Sequence, residues 1–439
     1  MKIKGRIVQL ELNNKQTTLA FKHIGTARHA YNWGVSVCKD LSEKREKLPS
    51  KFDLQNKLVA EVKSENPWYY EVSKCAPQKA IFEVKEAWTN FFRDLKNCTI
   101  EKQKNNYIAK QKRKNQVINY DKLNDIGKPK FKKKGINDSF YLEGTNHSPI
   151  KISKNKIKLP HFGWVKMSES FDEDFTVKNV TISRTANDWF ISWKTEFDDD
   201  ALKIEGIENM PEVGVDIGIK TLATLSDGTT FVNVKAFKKY KGKLKKAQRK
   251  QSKRYNPKSK EQSKNYKKAS KKVAKIHQKI ANVRKDATHK LTTHLAKNHS
   301  TVKIEDLNVS GMLKNKRLSS AISDGGFYEF RRQLEYKCAW YGSNLLVIDR
   351  FFASSKTCSC CGKVKKDLKL SERIFNCDGC GLSIDRDLNA AINILNFTVS
   401  YTGSACGELC KPTKNRGNSL KQEANSDQRR NVEERISFV

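Results

Sequence analysis

CSCCGKVKKDLKLSERIFNCDGCGLSIDRDLNAAINI, residues 358 to 394, runs a cysteine pattern directly into a carboxylate motif. Cys358/Cys361/Gly362 and Cys377/Cys380/Gly381 form two Cys-x-x-Cys-Gly knuckles around a charged, strand-like insert. That spacing suits a closed tetrahedral zinc site in which each knuckle supplies two thiolates and the glycine allows a sharp turn after the second ligand. Cys360 puts a third cysteine in the first knuckle, but only the 358/361 pair repeats the pattern of the second. Next, Asp385-Arg386-Asp387-Leu388-Asn389-Ala390-Ala391 opens a helix with Leu388, Ala391 and Ile392 on one face. An aspartate at a helix start is ordinarily an N-cap. Its meaning depends on what other carboxylates the chain brings to it.

The 439 residues are enough for two or three domains with cores of their own. With 86 basic against 48 acidic residues, the formal net charge is +38. A charge of that size implies a polyanionic partner whose condensed counterions are released on binding. At 37% hydrophobic and 9% aromatic residues, a wholly disordered basic tail is excluded, which leaves a folded nucleic-acid binder. The opening MKIKGRIVQLEL lacks a signal peptide's apolar centre and cleavage site, and no apolar run approaches the ~18 residues of a membrane span. Eleven cysteines, four in metal spacing, point to a reducing compartment, so a soluble intracellular protein of the prokaryotic cytoplasm is expected, without membrane contact. Cys38, Cys75, Cys98 and Cys338, set among apolar neighbours, read as ordinary buried residues.

Residues 3–12 alternate as a strand, and helical patterns follow over Asn14 to about Glu46 and Gln78 to Lys96. The second carries Ile81, Val84, Trp88, Phe91 and Leu95 at helical spacing, a stripe that reads as core. A basic tract ends in Gly127-Lys128-Pro129-Lys130-Phe131-Lys132-Lys133-Lys134. From Phe140 to Phe197 short alternating runs suggest a small β-barrel, which the isolated first strand would complete, making the helical block an insertion. Lysines alternating along these strands are either a phosphate track or a solvated face. A linker is expected over Asp198 to Pro211.

GVDIGIK, residues 214–220, places Asp216 inside an apolar strand, where a carboxylate is costly unless paired or holding a metal. Residues 236–298 form a very basic helical pair broken near Tyr255-Asn256-Pro257, either a solvated hairpin or a surface for a polyanion. Lys245, Lys246 and Arg249 there, with Lys130, Lys132, Lys133 and Lys134, are the nucleic-acid candidates. Thr301 to Asn308 is a second strand with an acid, Glu305; a helix near Phe327 to Tyr341 and a strand at Leu345 to Asp349 lead into the knuckles. Asp216, Glu305 and Asp387, if brought together, would form an oxygen-ligand site suited to Mg²⁺ or Mn²⁺ and to phosphodiester hydrolysis.

GVDIGIKTLATLSDG, then IEDLNVSG, then SSKTCSCCG…NCDGCG…DRDLNAAINI resemble the transposon-encoded TnpB family, relatives of miniature type V CRISPR effectors. YNW at 31–33, GKPKFKKK, the SACGE run at 404–408 and SLKQEA near the end look like further landmarks. The resemblance implies a multidomain α+β and α/β chain. A β-barrel wedge domain (1–12 and 127–200) would carry an inserted helical recognition domain (13–126). A ribonuclease-H-like RuvC nuclease (201–350 and 383–400) would carry a zinc-ribbon insertion (351–382), followed by a disordered tail (401–439). It implies catalytic acids at Asp216, Glu305 and Asp387 and zinc ligands at Cys358, Cys361, Cys377 and Cys380. Asp306 is expected on the opposite strand face, and Asp385 as a supporting or capping group. Implied as well are a guide RNA, catalytic Mg²⁺ or Mn²⁺, and RNA-guided cutting of double-stranded DNA beside a short duplex motif. The rival readings are a miniature type V CRISPR effector, a non-cleaving nucleic-acid-binding regulator, and a strand-transfer transposase.

Overall fold

A computed structural model describes residues 2–259, 261–369 and 372–397; the expected tail at 401–439, with its SACGE and SLKQEA runs, and the last residues of the expected 383–400 segment lie outside these. The described chain divides into two compact units, Gly5–Thr195 in one and the residues from Glu196 onward, with the start of the first strand, in the other.

In the first unit, β1 (Lys2–Glu11) leads into α1 (Asn14–Glu43), α2 (Lys51–Lys57), a π-helical turn at Leu58–Lys63 and a 3-10 helix at Pro67–Glu71. Next come α3 (Cys75–Lys96), α4 (Thr99–Arg113) and α5 (Tyr120–Asn124). Asn13 caps α1 reciprocally: its side chain accepts from the Gln16 N–H at 2.9 Å while Gln16 accepts from the Asn13 N–H at 3.1 Å. Strands β2 (Ser139–Glu143), β3 (Ile150–Ser153), β4 (Lys156–Leu159), β5 (Gly163–Met167), β6 (Phe175–Val177), β7 (Asn179–Thr185) and β8 (Asp188–Phe197) follow. With β1 they make one eight-stranded sheet, ordered β2-β7-β8-β1-β5-β4-β3-β6. The first strand therefore lies mid-sheet, between strands some 150 residues later. The three-residue β6 runs on through Lys178 into β7, so the stretch 175–185 pairs with β3 in its first part and with β8 in its second, and the sheet curls back on itself.

Strand alternation puts Ile150, Ile152, Ile157, Leu159, Val165, Met167, Val180, Ile182 and Ile191 inside, while Lys151, Lys156, Lys158 and Lys166 face outward. Ala20, Ile24, Ala27, Tyr31 and Val35 of α1 and Ile81, Val84 and Trp88 of α3 join the same core, so helices and sheet share one hydrophobic cluster. Cys38 and Cys338 are buried as expected, but Cys75 is only half-buried and Cys98 is exposed. Cys98 occupies the left-handed turn (φ 55°) between α3 and α4, which carries it out of the apolar stripe.

The second unit holds β9 (Val213–Ile217), β10 (Thr221–Leu225), β11 (Thr230–Val232), α6 (Ala236–Ser252), α7 (Lys264–Asn298) and β12 (Thr301–Glu305). It continues through α8 (Val309–Met312), α9 (Ser319–Gly325), α10 (Phe327–Tyr341), β13 (Asn344–Ile348), β14 (Ile374–Asn376), β15 (Ser383–Asp385) and α11 (Arg386–Asn396). The five-stranded sheet is ordered β11-β10-β9-β12-β13; its first three strands are antiparallel, and β12 lies parallel to both β9 and β13. Helices α6 and α7 form the basic hairpin, packed on itself through Leu244 and Ile280. Its root is Asp324, a buried carboxylate that accepts from the N–H of Phe237 at 3.0 Å and from Arg284 at 2.9 Å.

Helices α7 and α10 are joined by a buried lysine. The Lys337 ammonium donates to Thr292 and Thr293 Oγ1, each at 2.7 Å, and to the His289 carbonyl at 2.9 Å. Burial pushes its pKa down to about 8. The folded chain therefore binds fewer protons than the unfolded one between about 8 and 10.5, and stability should rise with pH across that window. Lys337→Met is expected to flatten the slope in urea unfolding series; an unchanged slope would assign it to another group.

Candidate active site and metal centre

Val215 on β9 lies opposite Ile304 on β12, so the next residues, Asp216 and Glu305, are neighbours across a parallel pair and face the same side. Gly214 and Lys303, two residues earlier on each strand, share that face. Helix α11 covers it. A Cβ on Gly214 would lie 2.2 Å from the Ala391 carbonyl oxygen and 2.5 Å from the Leu395 nitrogen, so only glycine permits this approach. One helical turn back from Ala391 is Asp387, about 6 Å along the axis, and two residues along β9 from Gly214 is Asp216, about 7 Å. The two displacements match, which delivers Asp387 to Asp216. Gly214→Ala should therefore lower stability by about 1–3 kcal/mol or more through overpacking, read by thermal unfolding, with displacement of Asp387. A Tm unaltered by the substitution would mean that α11 does not depend on this contact.

The ends of α11 are fixed separately. Asp385 caps its start, accepting from the N–H groups of Asp387 at 2.9 Å and Leu388 at 3.1 Å. At the other end Lys303 Nζ donates to the Leu395 carbonyl at 2.8 Å and pairs with Glu212 at 2.9 Å.

Asp216 feels both of the other acids. Asp216 is pushed up to about 7, by burial first and then by the charges of Glu305 and Asp387, with Arg386 opposing. Burial also raises Glu305, against the hydroxyl of Ser354, which donates to its Oε1. Asp387 Oδ1 lies 3.6 Å from Arg386 and 4.0 Å from Arg373. A buried carboxylate whose ionisation is disfavoured by burial and by neighbouring acids is a ligand that a hard divalent cation relieves. The oxygens of the three acids are not drawn together as tightly as the thiolates described next; among the described residues only the cysteines gather ligand atoms within 4.8 Å of one another. Asp306, on the opposite strand face, instead accepts hydrogen bonds from Arg331 and Arg350.

The four thiols of Cys358, Cys361, Cys377 and Cys380 converge from two knuckles of the same construction. In each, the glycine takes a left-handed conformation, φ 73° at Gly362 and 75° at Gly381. The glycine N–H returns to the first cysteine's carbonyl at 3.0 Å, Gly362 to Cys358 and Gly381 to Cys377. The Sγ atoms of Cys358 and Cys380 are 3.6 Å apart, and those of Cys361 and Cys377 3.5 Å. A tetrahedron with metal–sulfur bonds of ~2.3 Å has edges of about 3.8 Å, so the set fits a single ion. Cys377 is lowered to about 6 by the backbone N–H groups of Cys380 and Gly379, which favours its thiolate. Cys360 is exposed and outside the set.

Motif reading alone missed what joins the two centres. Asn389 on α11 is fully buried; its Oδ1 accepts from the Ser359 N–H at 3.0 Å and its Nδ2 donates to the Thr357 carbonyl at 2.7 Å. One turn on, Asn393 Nδ2 donates to the carbonyls of Ser354 at 2.8 Å and Thr357 at 2.6 Å. The helix bearing Asp387 thus grips the segment that carries Ser354, the partner of Glu305, and enters the first knuckle. The i, i+4 asparagines of LNAAIN were a visible signal of a buried polar face.

The basic candidates fare unequally. Lys245, Lys246 and Arg249 are exposed on α6, and Lys130, Lys133 and Lys134 are exposed in the tract before β2. Lys132 is half-buried instead: its ammonium sits 2.7 Å from Glu83 and over the Tyr31 ring at 4.3 Å, while its backbone exchanges hydrogen bonds with Asn32.

Comparison with known proteins gives a consistent picture. A family model described as "Cas12f1-like, TNB domain" matches residues 327–394, one described as "Probable transposase" matches 205–316, and a "Helix-turn-helix domain" matches 1–47. Here the last stretch folds as β1 and the single long helix α1. "Putative RNA-guided DNA endonuclease InsQ" of Escherichia coli K12 is 37% identical over 311 residues, 67% of this chain and 73% of that one. A "Putative RNA-guided DNA endonuclease" of Streptomyces pristinaespiralis is 42% identical over 268 residues, 59% of this chain and 63% of that one. Among solved structures, a Cas12f1–sgRNA–target DNA complex aligns with a TM-score of 0.32 at 15% identity, covering 90% of this chain and 99% of that chain. With 37% identity to the Escherichia coli relative across 73% of that protein, this chain belongs to the TnpB family of insertion-sequence proteins.

Proposed function

We propose that the protein is an RNA-guided DNA endonuclease of an insertion sequence, cutting double-stranded DNA at the Asp216, Glu305 and Asp387 centre. The observation that carries this reading is the placement of those carboxylates on one face of the β9–β12 pair and the first turn of α11, with Asp216 raised by burial and then by the other two. A five-stranded sheet with three antiparallel strands followed by two parallel ones supports a ribonuclease-H-like, RuvC-type nuclease.

Asp216, Glu305 and Asp387 would hold Mg²⁺ or Mn²⁺, which when bound supplies water activation and stabilisation of the leaving oxygen in phosphodiester hydrolysis. Ser354 fixes the rotamer of Glu305 through its hydroxyl, and Asp385 and Lys303 hold α11 so that Asp387 stays in line. Cys358, Cys361, Cys377 and Cys380 hold a structural zinc. The unit holding β1 to β8 serves as wedge and recognition region, and the charge of +38 holds guide RNA and target DNA through their backbones while pairing selects the sequence. Lys130, Lys133 and Lys134 and the α6 face of Lys245, Lys246 and Arg249 are exposed contributors to that surface. No helix of the described residues is long and apolar enough to cross a membrane, and a prokaryotic cytoplasmic setting fits the reading.

The test is to express the chain with its native flanking DNA, purify it and sequence the RNA that accompanies it. A discrete RNA ending in sequence from beyond the element supports the transposon-guided reading. Repeat-derived RNA with a variable spacer would place the protein with the CRISPR effectors, and no enriched RNA would overturn guided cutting.

A further inference from the structure

A cavity of about 490 Å³ opens beside Glu305, at the C-terminal ends of β9 and β12. Its lining includes Ile217, Glu305, Tyr328, Arg331, Glu335 and Arg350. Arg331 comes from α10 and Arg350 from the residues just after β13, so two separate elements present guanidiniums to one space. Both are anchored to the same carboxylate. Asp306 accepts from Arg331 Nη1 on one oxygen and from Arg350 Nη2 on the other, and Glu335 accepts from Arg331 Nε at 3.2 Å.

The arrangement is more than a structural tie. An arginine has five N–H donors, and these contacts use two of those on Arg331 and one on Arg350. Their side chains remain 41% and 45% exposed, so the remaining donors meet solvent at the cavity. A carboxylate that clamps both planes removes the rotamer freedom that would otherwise be lost on binding, and paired guanidinium forks match the oxygens of a phosphodiester. Tyr328, 70% exposed at the same rim, offers a ring against which an unpaired base can stack.

We propose that Arg331 and Arg350, set by Asp306, form a binding subsite for a backbone phosphate of the single DNA strand being cut, next to the scissile one. This rests on the nuclease reading above and deepens it. Asp306, adjacent in sequence to the metal-site Glu305, is a positioning residue that acts through the two arginines.

The test uses the full chain with its copurified RNA and measures single-turnover cutting. Target strands carry one neutral methylphosphonate at each position flanking the cut in turn. Arg331→Gln and Arg350→Gln should each slow cutting by roughly 10- to 100-fold with target binding retained, and Arg350→Lys should restore part of the rate. One methylphosphonate position should slow the wild type by a similar factor yet add little further to either variant. Because that substitution changes no side chain, it reads the subsite even if a variant folds poorly. Full additivity at every position, or variants cutting at the wild-type rate, overturns the subsite while leaving the nuclease reading intact. A wild-type complex that binds its target and cuts nothing overturns both.

Discussion

Asp216→Ala is expected to abolish DNA cutting, by ~10³-fold or more, while RNA and target binding survive. Asp216 is raised to about 7 by burial first and then by the charges of Glu305 on the neighbouring strand and Asp387 on the covering helix. Removing it would take away the central oxygen ligand of the proposed site and leave the surrounding packing in place, since Val213 and Val215 hold β9 in the core independently. Asn at this position should be nearly as inactive, because an amide keeps the shape without the charge a divalent cation requires. Cutting by Asp216→Ala at the wild-type rate, in filter-bound complexes that also retain target, would put the metal site elsewhere. Stability gives an independent readout: both variants remove a carboxyl whose charged form is disfavoured by burial and by its neighbours, so the metal-free protein should be no less stable than the wild type.

Cys377→Ser is expected to lose zinc and, with it, most of the cutting activity. Structural zinc sites contribute folding free energy on the order of 10 kcal/mol, and the ribbon's own apolar core is small, built around Phe375, Leu368 and Ile384. The effect should reach the acids through a defined route. The first knuckle follows directly on Thr357, whose carbonyl is held by Asn389 and Asn393, and Ser354 in the same segment donates to Glu305. An unfolded ribbon frees that segment and with it the orientation of Glu305. Zinc content and cutting rate are measured on the same preparation, with Cys360→Ser as the control that should change neither, since its thiol is exposed and outside the cluster. Normal zinc in Cys377→Ser would overturn the ligand set; zinc loss with full cutting would break the link through α11.

Much of this organisation is legible in the sequence. The knuckles were readable because ligand spacing is a local property: two residues between cysteines, then a glycine whose positive φ the turn demands. The first strand and the Ala236–Ser252 and Lys264–Asn298 hairpin were visible from period and charge. The placement of Asp306 on the far face followed from strand alternation, and Asp385 was readable as a cap from its position before α11. Less legible was the division of the first 200 residues, where helices and sheet proved to share a single core. Burial of a helical face shows in periodicity, whereas the identity of the surface it packs against does not.

What the sequence by itself determined, then, is the set of elements and the chemistry each can carry: thiolates at metal spacing, carboxylates on apolar strands, and a surplus of positive charge. Only the tertiary structure decided which of these meet. Gly214 reads locally as a flexible strand residue, yet its missing Cβ is what lets α11 come down on β9 and bring Asp387 to Asp216. Lys132 reads as one of a basic run, yet Glu83 and Tyr31, some fifty and a hundred residues away, take up its charge. Asn389, Asn393, Ser354 and the Asp306 clamp on Arg331 and Arg350 are likewise contacts between segments distant in the chain. Sequence patterns report propensities within a few turns, and a catalytic site is made by close approach between elements whose separation along the chain carries no such signal.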